Sequence, residues 1–312
     1  MRRSVKGVGG IKNKHVVSVS LGTSRRDHRV EVKLLGCRLL IERRGTDGNL
    51  HLAARWLREL DGRVDVLALG GVNLYLTAAG RRYPLRDGLR LAAAVRRTPL
   101  VDGSGIKAGW EPLIVPYIQK RLGWPFSGQT VLFSSVLDRW PLAAALAATG
   151  CRLLIGDGAF ALGLPFTFTS LRLFRLAAAI GLPLLGRLPI GLLYPLGRDQ
   201  EQIRPRLQNL YRRADILAGD FHFLRRHLPP RLEGKCIITS TTTPADRREL
   251  AARGAGWLVT TAPEMGGRSF GANVLEAVCV ALLERRTEMI TPDMYPPLLH
   301  RAGLTPGIFR LN

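Results

Sequence analysis

Alternating and periodic apolar residues indicate the elements of the first half of the chain. The alternation over residues 15–22 predicts a strand, and two further patterned stretches, 29–35 and 37–42, predict a β-hairpin. Apolar residues recur at helical spacing over 50–60, and the short apolar stretch 64–69 predicts a buried strand. Strand, helix and strand in this order predict a βαβ unit.

Short, continuous apolar stretches alternate with helical patterns in the second half of the chain. Strands of this kind are buried on both faces, which is typical of a parallel sheet covered by helices. We therefore predict an α/β protein of two domains, the second a doubly wound, Rossmann-like parallel sheet. The predicted strands of that sheet are 130–133, 151–155, 214–218, 236–239 and 257–260.

The turn-rich stretch 123–128 is the predicted domain boundary. It separates an N-terminal α/β domain over 15–125 from a Rossmann-like nucleotide-binding domain over 126–285, which a C-terminal segment, 286–312, follows. Residues 1–14 are basic and contain glycine but lack the apolar stretch of a secretory signal. We expect them either to form a disordered tail or to be translated from a start codon that lies upstream of the natural one.

Charge and composition narrow the range of partners. The 312 residues suit two domains, and the net charge of +22 raises the question of nucleic-acid binding. Only seven of the 46 basic residues are lysines, the arginines are scattered in pairs along the whole chain, and no nucleic-acid motif accompanies them. The positive charge therefore predicts attraction of small anionic molecules. Its scattered distribution and the absence of a motif argue against binding of DNA or RNA.

Apolar runs and cysteines indicate the compartment. The longest weakly charged stretch, 160–197, is interrupted by arginines and prolines, so we expect no membrane partner. It predicts either a helical flap over the sheet or the lining of an apolar cleft. The four cysteines are far apart and form no C-x-x-C pair, which is typical of reduced thiols in a cytoplasmic protein.

Polar loops follow every predicted strand of the second domain. In an open parallel sheet, ligands bind where loops leave the carboxyl ends of the strands. The alternative is that these serines, threonines and aspartates only cap the helices that follow. Five such loops together favour a ligand site. They are Ser134-Ser135, Gly156-Asp157, Gly219-Asp220, Ser240–Thr243 and Thr260-Thr261.

The acidic residue after the second strand indicates a dinucleotide. Asp157 has the position of the carboxylate that binds the adenosine ribose and favours NAD over NADP. The first turn lacks the G-x-G-x-x-G pattern, so the pyrophosphate would lie on a helix N-terminus aided by serine hydroxyls. NAD is the predicted cofactor and NADP the alternative. The predicted cofactor-binding residues are Ser134, Ser135, Arg139, Asp157, Gly219 and Asp220.

Two further clusters are candidates for substrate chemistry. Asp102 and Lys107 flank a glycine-rich turn and could relay a proton to a substrate hydroxyl, or they could be a turn aspartate and a surface lysine. Arg268 lies in a glycine-rich loop before the last apolar helix, which is either an anion site or an ordinary capped loop. His28 and His222 lack the spacing of a metal pair, so we expect no metal site.

Five segments resemble a bacterial family named quinate 5-dehydrogenase. The similarity extends from about His15 to Leu283. The segments are Ser18-Val-Ser-Leu-Gly-Thr-Ser-Arg-Arg-Asp-His28, Gly45-Thr-Asp-Gly48, Val101-Asp-Gly-Ser-Gly-Ile-Lys107, Ala218-Gly-Asp-Phe-His222 and Gly267-Arg-Ser-Phe-Gly-Ala-Asn-Val-Leu-Glu-Ala277.

The resemblance implies the architecture of shikimate and quinate dehydrogenases. A substrate domain would precede the Rossmann domain, with the active site in the cleft between them. Ser18 and Ser20 match the substrate-binding S-x-S spacing of shikimate dehydrogenases, and Lys107 follows Thr98-Pro99 at a different interval from their catalytic lysine segment. Their N-T-D segment and glycine-rich cofactor turn are absent. Arginines near the cleft, namely Arg25, Arg26 or Arg268, are predicted to bind the substrate carboxylate, with Arg25 and Arg268 preferred.

Two main hypotheses about function follow. The first is an NAD(P)-dependent oxidoreductase acting on a hydroxyl of a polyhydroxy carboxylic acid of the quinate and shikimate class. The second is a non-redox enzyme or a nucleotide-binding regulator, because a fold alone does not determine chemistry. Whether the chain is an enzyme therefore stays open at this point, as does a homodimer.

Overall fold

The computed structural model of the chain describes residues 11–78 and 81–312. Of the predicted basic tail, residues 1–10 lie outside this part. Residues 12–14 belong to the first strand, where Lys12 and Lys14 lie beside Cys37 and Leu39 of a parallel neighbour. The predicted tail is therefore too long at its C-terminal end, because these lysines gain sheet hydrogen bonds and a carboxylate partner, Glu284.

The first sheet has five strands in the order β2-β3-β1-β4-β7. β2 and β3 form the predicted antiparallel hairpin, and the other neighbours are parallel. Its apolar residues alternate between two cores: Val16 faces one and Val17 the other. The strands of this half are β1 (Lys12–Ser20), β2 (His28–Leu34), β3 (Cys37–Gly45), β4 (Val66–Gly70), β5 (Tyr75–Ala78), β6 (Arg81–Pro84) and β7 (Leu100–Val101). The helices are α1 (Leu50–Leu60), α2 (Arg86–Ala92), α3 (Ser104–Trp110) and α4 (Ile114–Leu122).

The second sheet has six strands in the order β15-β12-β11-β10-β8-β9. All neighbours are parallel except β15, which the C-terminal segment contributes. The strands are β8 (Thr130–Phe133), β9 (Arg152–Ile155), β10 (Ile216–Ala218), β11 (Cys236–Thr239), β12 (Trp257–Thr260), the short pair β13 (Glu264–Met265) and β14 (Arg268–Ser269), and β15 (Gly307–Arg310). The helices are α5 (Trp140–Ala148), α6 (Asp157–Leu162), α7 (Leu171–Leu185), α8 (Ile190–Leu193), α9 (Gln208–Arg213), α10 (Phe221–Arg226), α11 (Pro244–Ala252), α12 (Ala272–Leu283) and α13 (Tyr295–Arg301).

Both faces of the second sheet are covered, which confirms the predicted fold class. Val131 and Phe133 of β8 face a core that includes α5 and α12, whereas Leu132 faces a second core with α10 and α11. In chain order the five parallel strands follow the arrangement 2-1-3-4-5 of doubly wound sheets. The order of neighbours reverses between β8 and β10, which is where such sheets bind ligands.

Helix α12 connects the two sheets. It follows the second sheet in the chain, yet it packs against β1 and β4 of the first. Val274, Ala277 and Val278 therefore share one core with residues of both sheets, including Val16 and Val131. This common core places the carboxyl ends of both sheets on one cleft.

Candidate functional site

A cavity of about 420 Å³ lies between the carboxyl ends of the two sheets. Ser20 and Gly70, at the ends of β1 and β4, form one wall, and Ser134 and Asp220, after β8 and β10, form part of the other. Both pairs lie where the strand order of their own sheet reverses. The cleft thus joins the two positions at which the topology of each sheet favours a ligand.

Predicted cofactor residues meet at the reversal point of the second sheet. The Asp220 amide donates to Ser135 Oγ at 3.1 Å, and Ser134 Oγ donates to the Asp220 carbonyl at 3.4 Å. Gly219 has a φ of +119°, and a Cβ there would collide with Ser134 Oγ. The Asp220 carboxylate caps α10 through the His222 amide at 2.8 Å and accepts from the Tyr194 hydroxyl at 2.8 Å.

Asp157 lies on the cavity wall, where it binds the turn after β8. Its two carboxylate oxygens accept the amides of Val136 and Leu137, each at 2.9 Å. Burial raises its pKa to about 6, against the effect of these hydrogen bonds. The carboxylate predicted to bind a ribose therefore occupies the amides that would hold a pyrophosphate.

Arg139 is buried within the protein and does not offer a free guanidinium to the cavity. It forms a salt bridge with Glu111, and its Nη2 donates to Ser240 Oγ at 2.6 Å. The side chains of Arg139 and Glu111 are 3% and 2% exposed. Its predicted role in binding pyrophosphate is corrected to a structural one, because Glu111 already neutralises its charge.

Lys107 is paired, but its partner is not the predicted one. Its Nζ donates to Asp138 Oδ1 at 2.5 Å, and Asn73 Nδ2 donates to the same oxygen. Asp102 also lines the cavity, yet its carboxylate accepts the amides of Leu74 and Ser104 at 2.7 and 2.9 Å. The predicted relay is therefore corrected from Asp102 to Asp138, because both carboxylate oxygens of Asp102 already accept backbone amides.

Asp138 holds a full charge in this pair. Burial acts to raise its pKa, but the charges of Lys107 and Arg139 outweigh that effect and keep the pKa below its usual value. Sequence reasoning missed Asp138, although it lies in the loop after β8, beside Arg139. A search for acidic residues in that same loop would have found it.

The predicted S-x-S pair lies on the wall of the first sheet. Ser18 Oγ accepts from Asn273 Nδ2 at 2.9 Å, and Ser20 Oγ accepts from Arg43 Nη2 at 3.1 Å. Both serines are buried and line the cavity. Within the described residues, neither hydroxyl donates a hydrogen bond to another group. Arg43 was not predicted, because only the pairing of β3 with β1 brings it to Ser20.

Three arginines lie beside these serines, and we call Arg26, Arg43 and Arg268 the arginine cluster. Arg43 and Arg268 are buried and line the cavity, and Arg26 is partly buried. Arg26 pairs with Asp246 at 2.5 Å and Arg43 with Asp27 at 2.8 Å. Arg268 has no carboxylate partner among the described residues. Burial and the charges of Arg26 and Arg43 lower its pKa to about 10.

His222 adds a neutral donor or acceptor to the arginine cluster. Burial, followed by the charge of Arg26, lowers its pKa well below the usual value, so the imidazole is uncharged at neutral pH. Arg25 lies outside this cluster. Its side chain is 70% exposed and pairs with Glu201, so the prediction that it binds substrate is corrected: Glu201 holds it at the surface.

An apolar wall faces the polar one. Helix α7 covers it, with Phe174, Ala178 and Leu182 buried on its inner side, and Phe168 and Leu76 complete the wall. The stretch predicted as either a helical flap over the sheet or the lining of an apolar cleft therefore lines the cleft. None of the described helices combines the length and the apolar composition that a membrane-spanning helix requires. Among the same residues, no three metal-ligating side chains lie together.

Two family models match the chain. The model described as Domain of unknown function (DUF8754) matches residues 105–311 and covers more than half of the chain. A second, described as Domain of unknown function (DUF8753), matches residues 15–102. No curated protein matches.

Solved structures resemble the chain at low sequence identity. The hetero-hexameric glutamate dehydrogenase of Thermus thermophilus in its Leu-bound form is 14% identical, with 94% of this chain and 74% of that chain covered and a TM-score of 0.41. Aspartate transcarbamoylase of Trypanosoma cruzi, in complex with carbamoyl phosphate and aspartate, is 11% identical, with 73% and 72% covered and a TM-score of 0.31. Similarity at this level assigns no activity to the chain.

Proposed function

The chain belongs to the family described as Domain of unknown function (DUF8754). Since this description names no activity, we propose one from the residues that line the cleft of the chain itself. It is an enzyme that binds a small organic anion and exchanges a proton with one of the oxygen atoms of that anion. The ion pair of Lys107 and Asp138 carries the proposal, because both residues line the same cavity as Arg268.

Lys107 is the residue that exchanges the proton. Asp138 is ionised and accepts a hydrogen bond from the Lys107 ammonium group, and Asn73 fixes the carboxylate by donating to the same oxygen. Such an ammonium group can donate a proton to a substrate oxygen that gains negative charge, and it can take the proton back in the reverse direction. Asp138 is a positioning residue for Lys107.

The arginine cluster is the proposed site for the anionic group. Its three guanidinium groups have two carboxylate partners, Asp27 and Asp246, so one positive charge is uncompensated. Burial, followed by the charges of Arg26 and Arg43, lowers the pKa of Arg268, and a carboxylate of the substrate would balance the uncompensated charge and relieve the repulsion. Ser18 and Ser20 would donate to hydroxyl groups of the same molecule.

The turn after β8 does not fit the pyrophosphate of a nicotinamide dinucleotide. It contains no glycine, and the amides of Val136 and Leu137 already donate to Asp157. A carboxylate at this point repels a phosphate group. No step of the proposed reaction is therefore assigned to NAD or NADP.

Two forms of the reaction follow from these observations. A dehydrogenase of the quinate and shikimate class, as the family resemblance implies, would require a dinucleotide to displace Asp157 from its turn. A non-redox enzyme that uses the same proton exchange requires no such displacement, and the position of Asp157 favours it. A cytoplasmic location is part of the proposal, and it is supported by four cysteines that are all free thiols.

Thermal unfolding and a dehydrogenase assay test the proposal. At a hundredfold excess over Kd, a ligand stabilises the folded state by about 2.7 kcal/mol, so quinate, shikimate or another small hydroxy acid should raise Tm by a few degrees. Formation of NADH or NADPH with the same acids would support the redox form. Binding without it would support the non-redox form.

A lysine variant tests the proton exchange. Lys107→Met should lower turnover by roughly a hundredfold or more and keep the rise in Tm produced by the ligand. Lys120→Met, at an exposed lysine of α4, is the matched control and should change neither. If no hydroxy acid raises Tm, or if Lys107→Met retains full turnover, the proposal is wrong.

A further inference from the structure

The apolar wall of the cleft has no function in the proposed reaction. Phe174, Ala178 and Leu182 of α7 line it, together with Phe168 and Leu76. A polyhydroxy acid bound at the arginine cluster would leave this wall facing water. Ligand cavities combine apolar walls that bury most of a ligand with a few polar groups that orient it.

We infer that the substrate is an amphiphile, with its anionic group at the arginine cluster and a hydrocarbon group beneath α7. This inference rests on the proposed function, and it adds the class of substrate. The polar and apolar walls belong to one cavity, so a single molecule can contact both. Burial of hydrocarbon tightens binding by roughly fourfold for each methylene group that leaves water.

Lactate and 2-hydroxyoctanoate are matched probes, because they share a hydroxy acid group and differ only in chain length. Calorimetric titration of the full chain should give a Kd at least about a hundredfold lower for 2-hydroxyoctanoate than for lactate. Arg268→Gln should weaken both probes by a similar factor.

A glycine of α7 offers a variant that fills only the apolar end. A Cβ at Gly181 would meet only Leu185 Cδ1, at 3.7 Å. Gly181→Leu therefore places a larger side chain in the cavity, and reduces its free volume, without a backbone clash. It should reduce the advantage of 2-hydroxyoctanoate at least tenfold and leave lactate unchanged. Gly191→Leu, at an exposed helical glycine where a Cβ would likewise meet one leucine, is the control.

The outcomes separate this inference from the proposed function. If the two acids bind equally well, the amphiphile is wrong and the anion site stands. If Gly181→Leu leaves the ratio of the two Kd values unchanged, the hydrocarbon lies elsewhere and the inference is wrong. If neither acid binds, the inference and the proposed function both fail.

The outer side of α7 carries a second, independent observation. Leu173, Leu176, Ile180 and Leu184 are 62%, 58%, 82% and 67% exposed, and their spacing places them on one side of the helix. We call these four residues the outer stripe. Large exposed apolar patches mark surfaces that bind a membrane or another protein.

The charges around the outer stripe favour an anionic partner. The sequence contains no acidic residue between Asp157 and Asp199. Arg172, Arg175 and Arg187 are exposed there and form no salt bridge within the described residues. In a symmetric dimer through this surface, the same arginines would face each other and repel. We propose that the outer stripe binds the surface of an anionic lipid bilayer.

Apolar side chains would enter the boundary between headgroups and acyl chains, and the arginines would contact the lipid phosphates. Each arginine near an anionic surface is expected to raise affinity roughly fivefold. The absence of a spanning segment in the sequence led us to expect no membrane partner, whereas a contact at the bilayer surface needs no such segment.

Sedimentation with vesicles tests the second proposal. The full chain should sediment with vesicles that contain phosphatidylglycerol and should stay in solution with phosphatidylcholine alone. Ile180→Ser should weaken the binding at least fivefold, and Arg172→Gln/Arg175→Gln should do the same. Met289→Ser and Arg231→Gln alter an exposed methionine and an exposed arginine elsewhere, and should have no effect.

Three results would overturn the bilayer proposal. The chain could stay in solution with both kinds of vesicle, or bind phosphatidylglycerol equally well with Ile180→Ser. Light scattering could also show a dimer that Ile180→Ser converts to a monomer, in which case a second copy of the chain covers the outer stripe.

Discussion

Replacement of Asp157 by asparagine should change how the stability of the protein depends on pH. Burial raises the pKa of this carboxyl from 3.8 to about 6 in the folded state. The unfolded chain therefore loses the proton near pH 3.8, and the folded chain keeps it until about pH 6. Over this interval the folded state binds more protons, so its free energy of unfolding falls as pH rises.

The magnitude follows from the shift in pKa. A difference of one unit corresponds to about 1.36 kcal/mol, so the shift of Asp157 from 3.8 to about 6 amounts to about 3 kcal/mol in all. This contribution is fully present below pH 3.8 and is lost as pH rises through about 6. Between pH 4 and pH 7, the wild type should lose about 2–3 kcal/mol relative to Asp157→Asn.

Urea unfolding at a series of pH values, followed by tryptophan fluorescence and circular dichroism, measures this difference. The hydrogen bonds that asparagine fails to replace shift the free energy of unfolding of the variant by an amount that does not depend on pH. Other titrating groups occur in both proteins, so their contributions cancel in the difference. Asp199→Asn, at an exposed aspartate, controls for the loss of one carboxylate. A difference between wild type and Asp157→Asn that stays constant with pH would show that Asp157 is not buried against Val136 and Leu137.

The same variant tests the argument against a dinucleotide. If the charge of Asp157 repels phosphate from the turn after β8, the affinity of the wild type for NAD should rise as pH falls through 6. Asp157→Asn should then bind NAD more tightly than the wild type at pH 7.

Three further predictions concern the frame of the cleft. Glu111→Gln should cost about 3–5 kcal/mol in chemical denaturation because it leaves Arg139 buried without its anion, and Glu111→Leu/Arg139→Met should recover most of the loss. Gly109→Ala should lower Tm by several degrees, because its Cβ would collide with a backbone carbonyl, whereas Gly181→Ala should raise the free energy of unfolding by up to about 1 kcal/mol. Burial raises the pKa of Glu276 from 4.5 to about 7, so the stability present below pH 4.5 should fall as pH rises through 7, and urea unfolding of Glu276→Gln should show a smaller fall than the wild type, with the part caused by Asp157 remaining.

The sequence predicts the five parallel strands of the second sheet well, because their central residues are buried on both faces and form continuous apolar stretches, whereas the edge strand β15 is only partly buried and was not predicted. Val131–Phe133 and Ile237–Ile238 alternate between two cores, so polar residues can begin only where a strand ends. For this reason the loops after the strands could be identified as the walls of a cleft. Parallel pairing then placed Ser134 and Gly219 at one edge.

Partners of the polar side chains could not be predicted in the same way. Lys107 meets Asp138 only because α3 packs beside the turn after β8, and Arg25 lies far from its partner Glu201 in the chain. Such contacts depend on how helices and strands pack against each other, and they produce no periodic pattern of residues in the sequence. Asp157 shows the same limit, since its position after a strand fits a ribose site and a capped turn equally well.

The two sides of the cleft differ in how firmly the fold holds them. Lys107, Asp102 and Asn273 belong to segments that pack into the core shared by both sheets, where α12 is buried along most of its length. The apolar wall belongs to α7, whose outer stripe has no partner within the described residues. A ligand that must enter between these sides meets less resistance from α7 than from α12, because fewer buried contacts oppose its displacement. The reacting groups can therefore stay fixed while the helix that selects the hydrocarbon group moves.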